Sequence, residues 1–571
     1  MQTQRPIVTR RAPNTPATAR LDSVEPLFAR LYALRGVTAA VQLDYGLAQL
    51  APVGSLEGTD AAVDLLLEHQ QNRIVVIGDF DVDGATSTAL MLRCLRAFGF
   101  ADIDYLVPNR FEFGYGLTPE IVQVAAQRNP ALIITVDNGI SSIDGVRAAK
   151  DAGISVLVTD HHLPAEELPA ADVIVNPNVV GSKFASRNLA GVGVAFYVLA
   201  ALGRALQEQG NAGAAKVPAQ FLDLVALGTV ADVVPLDHNN RILVQQGLNR
   251  IRAGKTVAGV RALMTQSGKQ LARVGSSDLG FIAGPRINAA GRLEDISVGI
   301  ECLLTDDPSV AEDYARRLDQ INKERREIES TMREQAFAYV DSLDTRKWPS
   351  CVCVYEESWH QGVVGLIAAR VKDRCHRPVI AFARETDGFL KGSARSIAGV
   401  HVRDLLAAVS STHPGMISKF GGHAMAAGLT IAESDYPKFS SVVAEQLDRL
   451  YPDADFSGAI ISDGVLPGSA FNLRFAQVLR DAGPWGSAFP EPTWNGDFEL
   501  LEQRTVGEKH LKMRLRPAAG GEIIDAIAFN QAGPAYRGTV QLAYRLDVNE
   551  WRGVESPQLI VEQIAALQPW G

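Results

Sequence analysis

Three short β-branched runs constrain this chain more than any other feature. Ile74-Val75-Val76-Ile77, Leu132-Ile133-Ile134-Thr135-Val136 and Val156-Leu157-Val158 are each followed within two residues by an aspartate: Asp79, Asp137 and Asp160. Between Asn72 and Val175 the order is repeated as strand, polar loop and helical stretch, which predicts parallel strands joined by crossover helices and hence an α/β fold. Ligands of an open α/β sheet bind beyond the carboxyl ends of its strands, so the three carboxylates are expected to converge on one crevice.

The chain has 571 residues, 47% of them hydrophobic and 21% charged, which leaves room for three or four separately packed cores. The expected division is a lead-in over 1–50, an α/β domain over 51–305, a connecting helix over 306–342, a second α/β lobe over 343–455 and a β-rich domain over 456–571. Helices are expected from Gly191 to Asp232, with Asp232 at a helix end. A long amphipathic helix is expected from about Val310 to Val340, with Leu318, Ile321, Ile328 and Met332 on one face. Beyond Trp348-Pro349, Val352 to Tyr355 and Pro378 to Phe382 read as strands, with glycine-rich loops at Gly392 and Gly421-Gly422. From Trp494 onward, short strands separated by turn residues suggest a small β-barrel.

Cys94, Cys302, Cys351, Cys353 and Cys375 are odd in number and lack zinc-ribbon spacing, so they read as packing residues in a reducing compartment. Met1 to Arg20 has no apolar stretch of signal-peptide type, and every richer window farther on is interrupted by Asp, Arg or Gly. A cytoplasmic protein is expected, with no membrane partner. The net charge of −10 does not decide the question of nucleic acid, because metal-site carboxylates and an acidic exterior are compatible with one basic groove.

Asp79, Asp81 and Asp83 alternate through Asp79-Phe80-Asp81-Val82-Asp83-Gly84, so their side chains cannot all point one way, but neighbouring ones can share a pair of metal ions. By itself the hexapeptide reads equally as a calcium-binding or solvated acidic turn. Its company decides: Asp137-Asn138-Gly139 and Asp160-His161-His162 supply hard carboxylates plus imidazole, which favours Mn²⁺ or Mg²⁺ over a thiolate metal.

With these motifs the chain resembles the DHH phosphoesterase superfamily, whose naming triplet is Asp160-His161-His162. The matching segments run in order through Gly78 to Gly84, Asn109-Arg110, Gly114-Tyr115-Gly116-Leu117, Asp137-Asn138-Gly139, the triplet, and Ala231-Asp232 with Pro235. They continue through Gly284-Pro285-Arg286-Ile287-Asn288-Ala289-Ala290-Gly291-Arg292, Gly392 to Ser396 and Gly421 to Gly428. The resemblance implies two α/β lobes joined by a long helix, followed by an OB-like β-barrel. It implies two divalent ions, Mn²⁺ or Mg²⁺, held by Asp81, Asp83, Asp137, His161 and Asp232. Many relatives have a histidine four residues before Asp81, and here that place is Ile77, so either Asp79 or water fills it or one ion is held weakly, and Asp79 is a further candidate ligand. Such an ion pair can activate a water and stabilise the charge gathering on a scissile phosphate. Asp160 and His162 are the candidate catalytic residues; His162 either gives a proton to the leaving 3′ oxygen or orients a neighbour.

Length, the Arg286 segment and the β-rich C-terminus are similar to those of superfamily members that remove nucleotides from the 5′ end of single-stranded DNA. That likeness implies a monomer acting in DNA repair and recombination, with a helicase and a single-strand-binding protein as partners. Arg110, Ser393 and Arg395 are expected to hold a terminal 5′ phosphate, with Gly421, Gly422 and His423 beside them on the second lobe. Tyr115 reads as a base-stacking residue or as loop packing. Arg286 and Arg292, either side of Asn288, read as phosphate contacts or as salt bridges. Lys509, His510, Lys512 and Arg514, with Phe529, Tyr544 and Trp551, read as an OB binding face or as the charged exterior of a packing barrel. Two rival readings stand beside this one: a DHH phosphodiesterase of short oligonucleotides, 3′-phosphoadenosine phosphate or cyclic dinucleotides, and a non-catalytic DNA-binding scaffold. Loss of acidic ligands would mark the scaffold, and here all are present.

Overall fold

The computed structural model describes residues 4–11, 21–108, 116–343, 348–385, 388–533 and 535–566. The chain divides into two compact units: Ile7–Asp319 with Ile461–Gly571, and Met1–Pro6 with Gln320–Ile460.

In the larger unit, β1 (Ile7–Thr9) is a short N-terminal strand, and β2 (Ile74–Ile77), β3 (Ile103–Leu106), β4 (Leu132–Val136), β5 (Ser155–Thr159) and β6 (Val173–Val175) form an all-parallel sheet in the order β3-β2-β4-β5-β6. Every residue of β2 and β4 is buried, as a sheet covered by helices on both faces requires. Val75, Ile77, Ile133, Val156 and Val158 pack on Ile121, Val122 and Val146 on one face. The register aligns Ile77 with Thr135, Val136 with Thr159, and Thr159 with Val175. Four strands thus end at one level, and the residues that follow them emerge side by side.

The helix Val82–Ala97 packs against Gly191–Glu208 and Leu222–Ala231. Contrary to the sequence expectation, one stretch, Ala214–Ala231, is long and apolar enough to span a membrane, with a mean hydropathy of 1.2. It is two short 3₁₀ turns running into a core helix, whose Leu224, Val225, Ala226 and Leu227 are fully buried in protein. Its apolarity is that of a helix enclosed on all sides. The long helix spans Pro308–Ser342, with Leu318, Ile321 and Met332 buried as its periodicity predicts.

In the smaller unit, β7 (Val352–Tyr355), β8 (Val379–Arg384), β9 (Phe389–Arg395), β10 (Lys419–Gly422) and β11 (Ala426–Ala432) form a sheet in the order β10-β11-β9-β8-β7, parallel only between β7 and β8. Gly392 and Gly421-Gly422 lie in strands, where glycine-rich loops were expected. A Cβ at Gly392 would lie 2.6 Å from Leu429 Cδ2 and from Phe382 Cε1. The glycine is there because neighbouring side chains close over the sheet, as glycine inside a strand often signals.

After β12 (Ile460–Ser462), β13 (Trp494–Val506), β14 (His510–Pro517), β15 (Ile524–Ala528), β16 (Thr539–Trp551) and β17 (Val554–Ala566) close a barrel in the order β13-β14-β15-β17-β16. Along β14, Leu511, Met513 and Leu515 point inward, while Lys512, Arg514 and Arg516 point out and pair with Asp525, Glu502 and Glu499. Of the aromatics named from the sequence, Tyr544 is fully buried, whereas Phe529 and Trp551 are exposed.

Residues 21–50, expected as a lead-in, are built into this unit. The helix Pro26–Ala33 lays Tyr32 against the stacked pair Trp485 and Phe489, and Arg35 forms a fully buried two-oxygen ion pair with Asp463 at 3.1 and 3.0 Å while donating to the Pro490 carbonyl. Removing one partner of a buried pair leaves the other charge uncompensated, which costs about 3–5 kcal/mol. Asp463→Ala is therefore expected to destabilise the larger unit by about that amount, lowering the urea midpoint followed by tryptophan fluorescence; Arg35 lies 5.3 Å from the Trp485 ring and makes it a local reporter.

Candidate metal centre

The aligned strand ends bring every acidic candidate of the larger unit into one place. Asp81 caps the helix Val82–Ala97, accepting from the Gly84 amide at 3.1 Å, and Asp83 lies in its first turn. Asp83 is buried, and both its oxygens are taken by backbone donors 108 and 109 residues away: Gly191 N–H at 2.6 Å and Val192 N–H at 2.9 Å. These donors open the helix Gly191–Glu208, so Asp83 sits in the positive end of a helix dipole. The approach needs small residues. A Cβ on Gly191 would lie 2.6 Å from Asp137 Cβ, and one on Gly228 would lie 2.9 Å from Asp83 Oδ1.

Asp137 ends β4 with φ of +62°, a left-handed conformation that a residue with a side chain adopts at a cost of about 1–3 kcal/mol. Asn138 secures that turn: its Nδ2 donates to the Ile77 carbonyl at 3.0 Å and the Val136 carbonyl at 2.9 Å, tying β2 to β4. Ile77 itself packs in the apolar core and offers no ligand atom. Asp232 follows the helix Leu222–Ala231 as its C-cap, and the next residue, Val233, again has a positive φ of 64°.

Three trios have ligand atoms within 4.8 Å of one another: Asp79, Asp81 and Asp137; Asp83, His161 and Asp232; and Asp137, His161 and His162. Asp137 and His161 belong to two trios each, so the arrangement is a continuous cradle. His161 Nε2 lies 3.2 Å from Asp137 Oδ1 and 3.5 Å from Asp232 Oδ2. Among the described residues, His161 Nε2 and Asp232 Oδ2 are buried with no hydrogen bond. Buried polar atoms are otherwise almost always hydrogen-bonded, and this oxygen-rich set with imidazole suits Mn²⁺ or Mg²⁺. Asp79, which also accepts from the Phe80 amide at 2.7 Å, stands with Asp81 and Asp137, on the side where Ile77 contributes nothing.

Asp160 is engaged differently. Its oxygens accept from the Ile140, His161 and His162 amides and from His162 Nδ1 at 2.7 Å, so it fixes the triplet's shape. Asn176 and Asn178 complete that support, donating to the His162 and His161 carbonyls at 2.9 and 2.6 Å. Sequence reasoning missed both asparagines, although Asn176 occupies after β6 the place that the aspartates occupy after theirs.

The charges follow from this crowding. Burial first, and then the charges of Asp232 and Asp81, push Asp83 from the ordinary 3.8 up to about 7. Burial and Asp81 likewise push Asp232 to about 7, and Asp137 is raised by burial, Asp83 and Asp81. Burial lowers His161, which keeps it neutral and able to ligate. Burial also opposes protonation of His162, but its hydrogen bond to Asp160 and that carboxylate's charge outweigh it, and the imidazole rises to about 9.

Other predicted residues are distributed as follows. Arg286 lies on the helix Gly284–Leu293 and forks onto Asp319 at 3.0 and 2.8 Å, the salt-bridge alternative; Arg292 stands in the last turn of the same helix. Asn288 Oδ1 accepts from the Val82 amide at 3.2 Å. In the smaller unit Ser393 and Arg395 share one face of β9, and Arg395 donates to Ser393 Oγ at 3.0 Å. A Cβ on Gly365, in the first turn of the helix Val364–Cys375, would lie 2.9 Å from Arg395 Nη2 and 3.0 Å from Ser393 Oγ. Gly421, Gly428 and Ser393 are register partners across β10, β11 and β9, and His423 is exposed at the hairpin end. Arg110 and Tyr115 lie outside the described residues.

The chain matches the DHH family N-terminal domain over residues 73–229, the DHHA1 domain over 349–449 and the RecJ OB domain over 462–563. It is 50% identical over 551 residues to the single-stranded-DNA-specific exonuclease RecJ of Escherichia coli, covering 94% of this chain and 96% of that protein. The chain belongs to the RecJ family. Its identity to the Bacillus subtilis RecJ is 33%, over 96% of this chain and 69% of that protein. The crystal structure of Thermus thermophilus RecJ in complex with Mn²⁺ superimposes with a TM-score of 0.81 at 29% identity, covering 99% of this chain and 80% of that one. A Mg²⁺ complex from the same organism gives 0.75 at 28% identity, covering 99% and 78%. The α/β fold and C-terminal OB domain expected from the sequence are thus those of RecJ, and in this family member the donor set fits the ions those structures contain.

The raised carboxylates make stability depend on pH. A carboxyl that ionises at 3.8 when unfolded and near 7 when folded binds its proton more tightly in the native state, so the metal-free protein loses stability as pH climbs from about 4 to 7. Thermal unfolding in EDTA is expected to move to lower temperature over that interval. The stabilisation by Mn²⁺, which competes with those protons, is expected to grow over the same interval. Asp232→Asn should remove that residue's own share of both effects and weaken the share of Asp83, whose carboxyl it helps to raise; unchanged pH profiles in that variant would contradict the assignment.

Proposed function

We propose that this RecJ-family chain is a metal-dependent exonuclease that hydrolyses single-stranded DNA from the 5′ end to mononucleotides in DNA repair and recombination. The observation that carries this reading is the cradle in which Asp137 and His161 are shared between carboxylate trios, in a chain half identical over nearly its whole length to a protein named for that activity. Asp81, Asp83, Asp137, His161 and Asp232, with Asp79, would hold two divalent ions. When bound, such ions supply Lewis-acid charge at the scissile phosphate and acidify an attacking water.

The protein's own groups do the rest. Asp160 holds His162 through Nδ1 and keeps the ring protonated, so that Nε2 is the atom from which a proton would pass to the leaving 3′ oxygen. On the smaller unit Ser393, Arg395 and the opening turn of Val364–Cys375 offer a hydroxyl, a guanidinium and helix amides, a set suited to the terminal 5′ phosphate. Gly421 and Gly428 leave the sheet beside Ser393 bare, which lets a nucleotide approach the backbone. Within the larger unit, the outward row Lys512, Arg514 and Arg516 offers cations to the strand's phosphates. The protein acts as a cytoplasmic monomer with a helicase that opens duplex and a single-strand-binding protein that presents the strand.

Two outcomes are expected. End-labelled single-stranded DNA with Mn²⁺ should release mononucleotides from the 5′ end, with duplex resistant and EDTA abolishing release; no release with either ion would falsify the proposal. Hydrogen bonds to charged groups are worth about 1.5–3 kcal/mol, so Arg395→Ala is expected to reduce the preference for 5′-phosphorylated over 5′-hydroxyl oligonucleotides by about 10–100-fold in kcat/KM. A variant that discriminates as the parent does would leave Arg395 no part in polarity.

A further inference from the structure

The loop that carries Asp79, Asp81 and Asp83 is held from outside by one helix. Asn288 Oδ1 accepts the Val82 amide at 3.2 Å, directly between Asp81 and Asp83. One turn on, Gly291 faces the other end of the loop, and a Cβ there would fall inside the contact radius of the Phe80 carbonyl oxygen, between Asp79 and Asp81. Of the four peptide groups between Asp79 and Asp83, the two that flank Asp81 are therefore both set by the helix Gly284–Leu293.

That helix is itself anchored. It continues a π-helical turn, Leu279–Ala283, a form that is rare and frequently found at functional sites. Arg286 donates to the Ile282 carbonyl at 2.8 Å and forks onto Asp319, with both side chains nearly buried. Nothing in this arrangement leaves Asn288 Oδ1 or the Arg286 fork idle: each is engaged by protein.

We infer that Asn288 and Gly291 are positioning residues for the metal loop, setting the spacing of Asp79, Asp81 and Asp83 and hence the affinity for divalent ions, with the Arg286–Asp319 pair fixing their helix. Asn288 acts through the Val82 peptide and does not contact the DNA strand. This rests on the metal-centre reading but not on the exonuclease assignment, because its decisive readout is ion binding.

The test uses the full chain and three substitutions. Asn288→Leu removes the acceptor, Asn288→Asp keeps an acceptor oxygen for Val82 N–H, and Gly291→Ala favours the helix intrinsically while crowding Phe80. Mn²⁺ affinity is measured by calorimetry and by the electron paramagnetic resonance of free Mn²⁺, and affinity for single-stranded DNA by anisotropy in EDTA. Residues that orient ligands typically change metal affinity by about 10–100-fold. Asn288→Leu and Gly291→Ala are expected to weaken Mn²⁺ by about that factor while DNA affinity in EDTA stays within about twofold; Asn288→Asp is expected to bind Mn²⁺ within about threefold of the parent. Parental Mn²⁺ affinity in Gly291→Ala and Asn288→Leu overturns the inference. So does a loss of DNA affinity with Mn²⁺ binding intact, which would make Asn288 a strand contact. If Asn288→Leu fails to fold, the comparison of Gly291→Ala with Asn288→Asp decides alone.

Discussion

The burial of several carboxylates at one place, with their mutual repulsion added to it, is the constraint around which the larger unit is organised. Moving Asp83 from the ordinary 3.8 to about 7 means that keeping it ionised costs on the order of 4 kcal/mol. Typical net stabilities are about 5–15 kcal/mol, so two such groups would consume much of what an ordinary domain has. The structure meets that cost locally. Asp83 receives two amides from a helix start, Asp160 receives three amides and an imidazole, and Asp137 is pinned by Asn138 in a left-handed turn.

Those devices require an unyielding frame, which the parallel sheet supplies. With four strand ends in register, a residue after β2, β4, β5 or β6 has no freedom to withdraw, and the covering helices are packed too closely to rotate away. Gly191 and Gly228 show how closely: each lies where one added carbon would strike a ligand. The same frame explains the ordered N-terminal segment. Arg35 and Tyr32 tie it to the start of the barrel portion within the same unit, so this surface too is fixed by burial.

Much of this was legible in the sequence because it is local. Strand ends followed by Asp79, Asp137 and Asp160 announce the crevice, and Asp232 after an apolar helix announces the last ligand. What was not legible depends on pairs far apart in the chain. Gly191 and Val192 read as an ordinary helix start, and only the fold reveals that Asp83 fills it. Gly291 reads as part of a motif, and only the fold sets it against Phe80. Glycine also misled: Gly392 and Gly421 were read as loop residues and both lie in strands, Gly392 because side chains close over it, Gly421 with open space where a side chain would stand. The stretch Ala214–Ala231 has the length and apolarity of a span, which the sequence reading did not register, because its core helix Leu222–Ala231 is buried in protein and burial in protein and in lipid select the same composition.

Ile77 shows how the site's chemistry and its frame are linked. An imidazole at that position would have to leave the core that Ile77 shares with Val75, Ile133 and Val158. With Ile77 in place, the strand end keeps its apolar seal, and its carbonyl becomes the anchor for Asn138. Six aspartates face one imidazolium, His162, leaving about five uncompensated negative charges when all are ionised. Two divalent ions would reduce that to about one. A polyanionic strand is repelled by the first state and tolerated by the second, so strand entry would depend on cations before it depends on any contact with the bases.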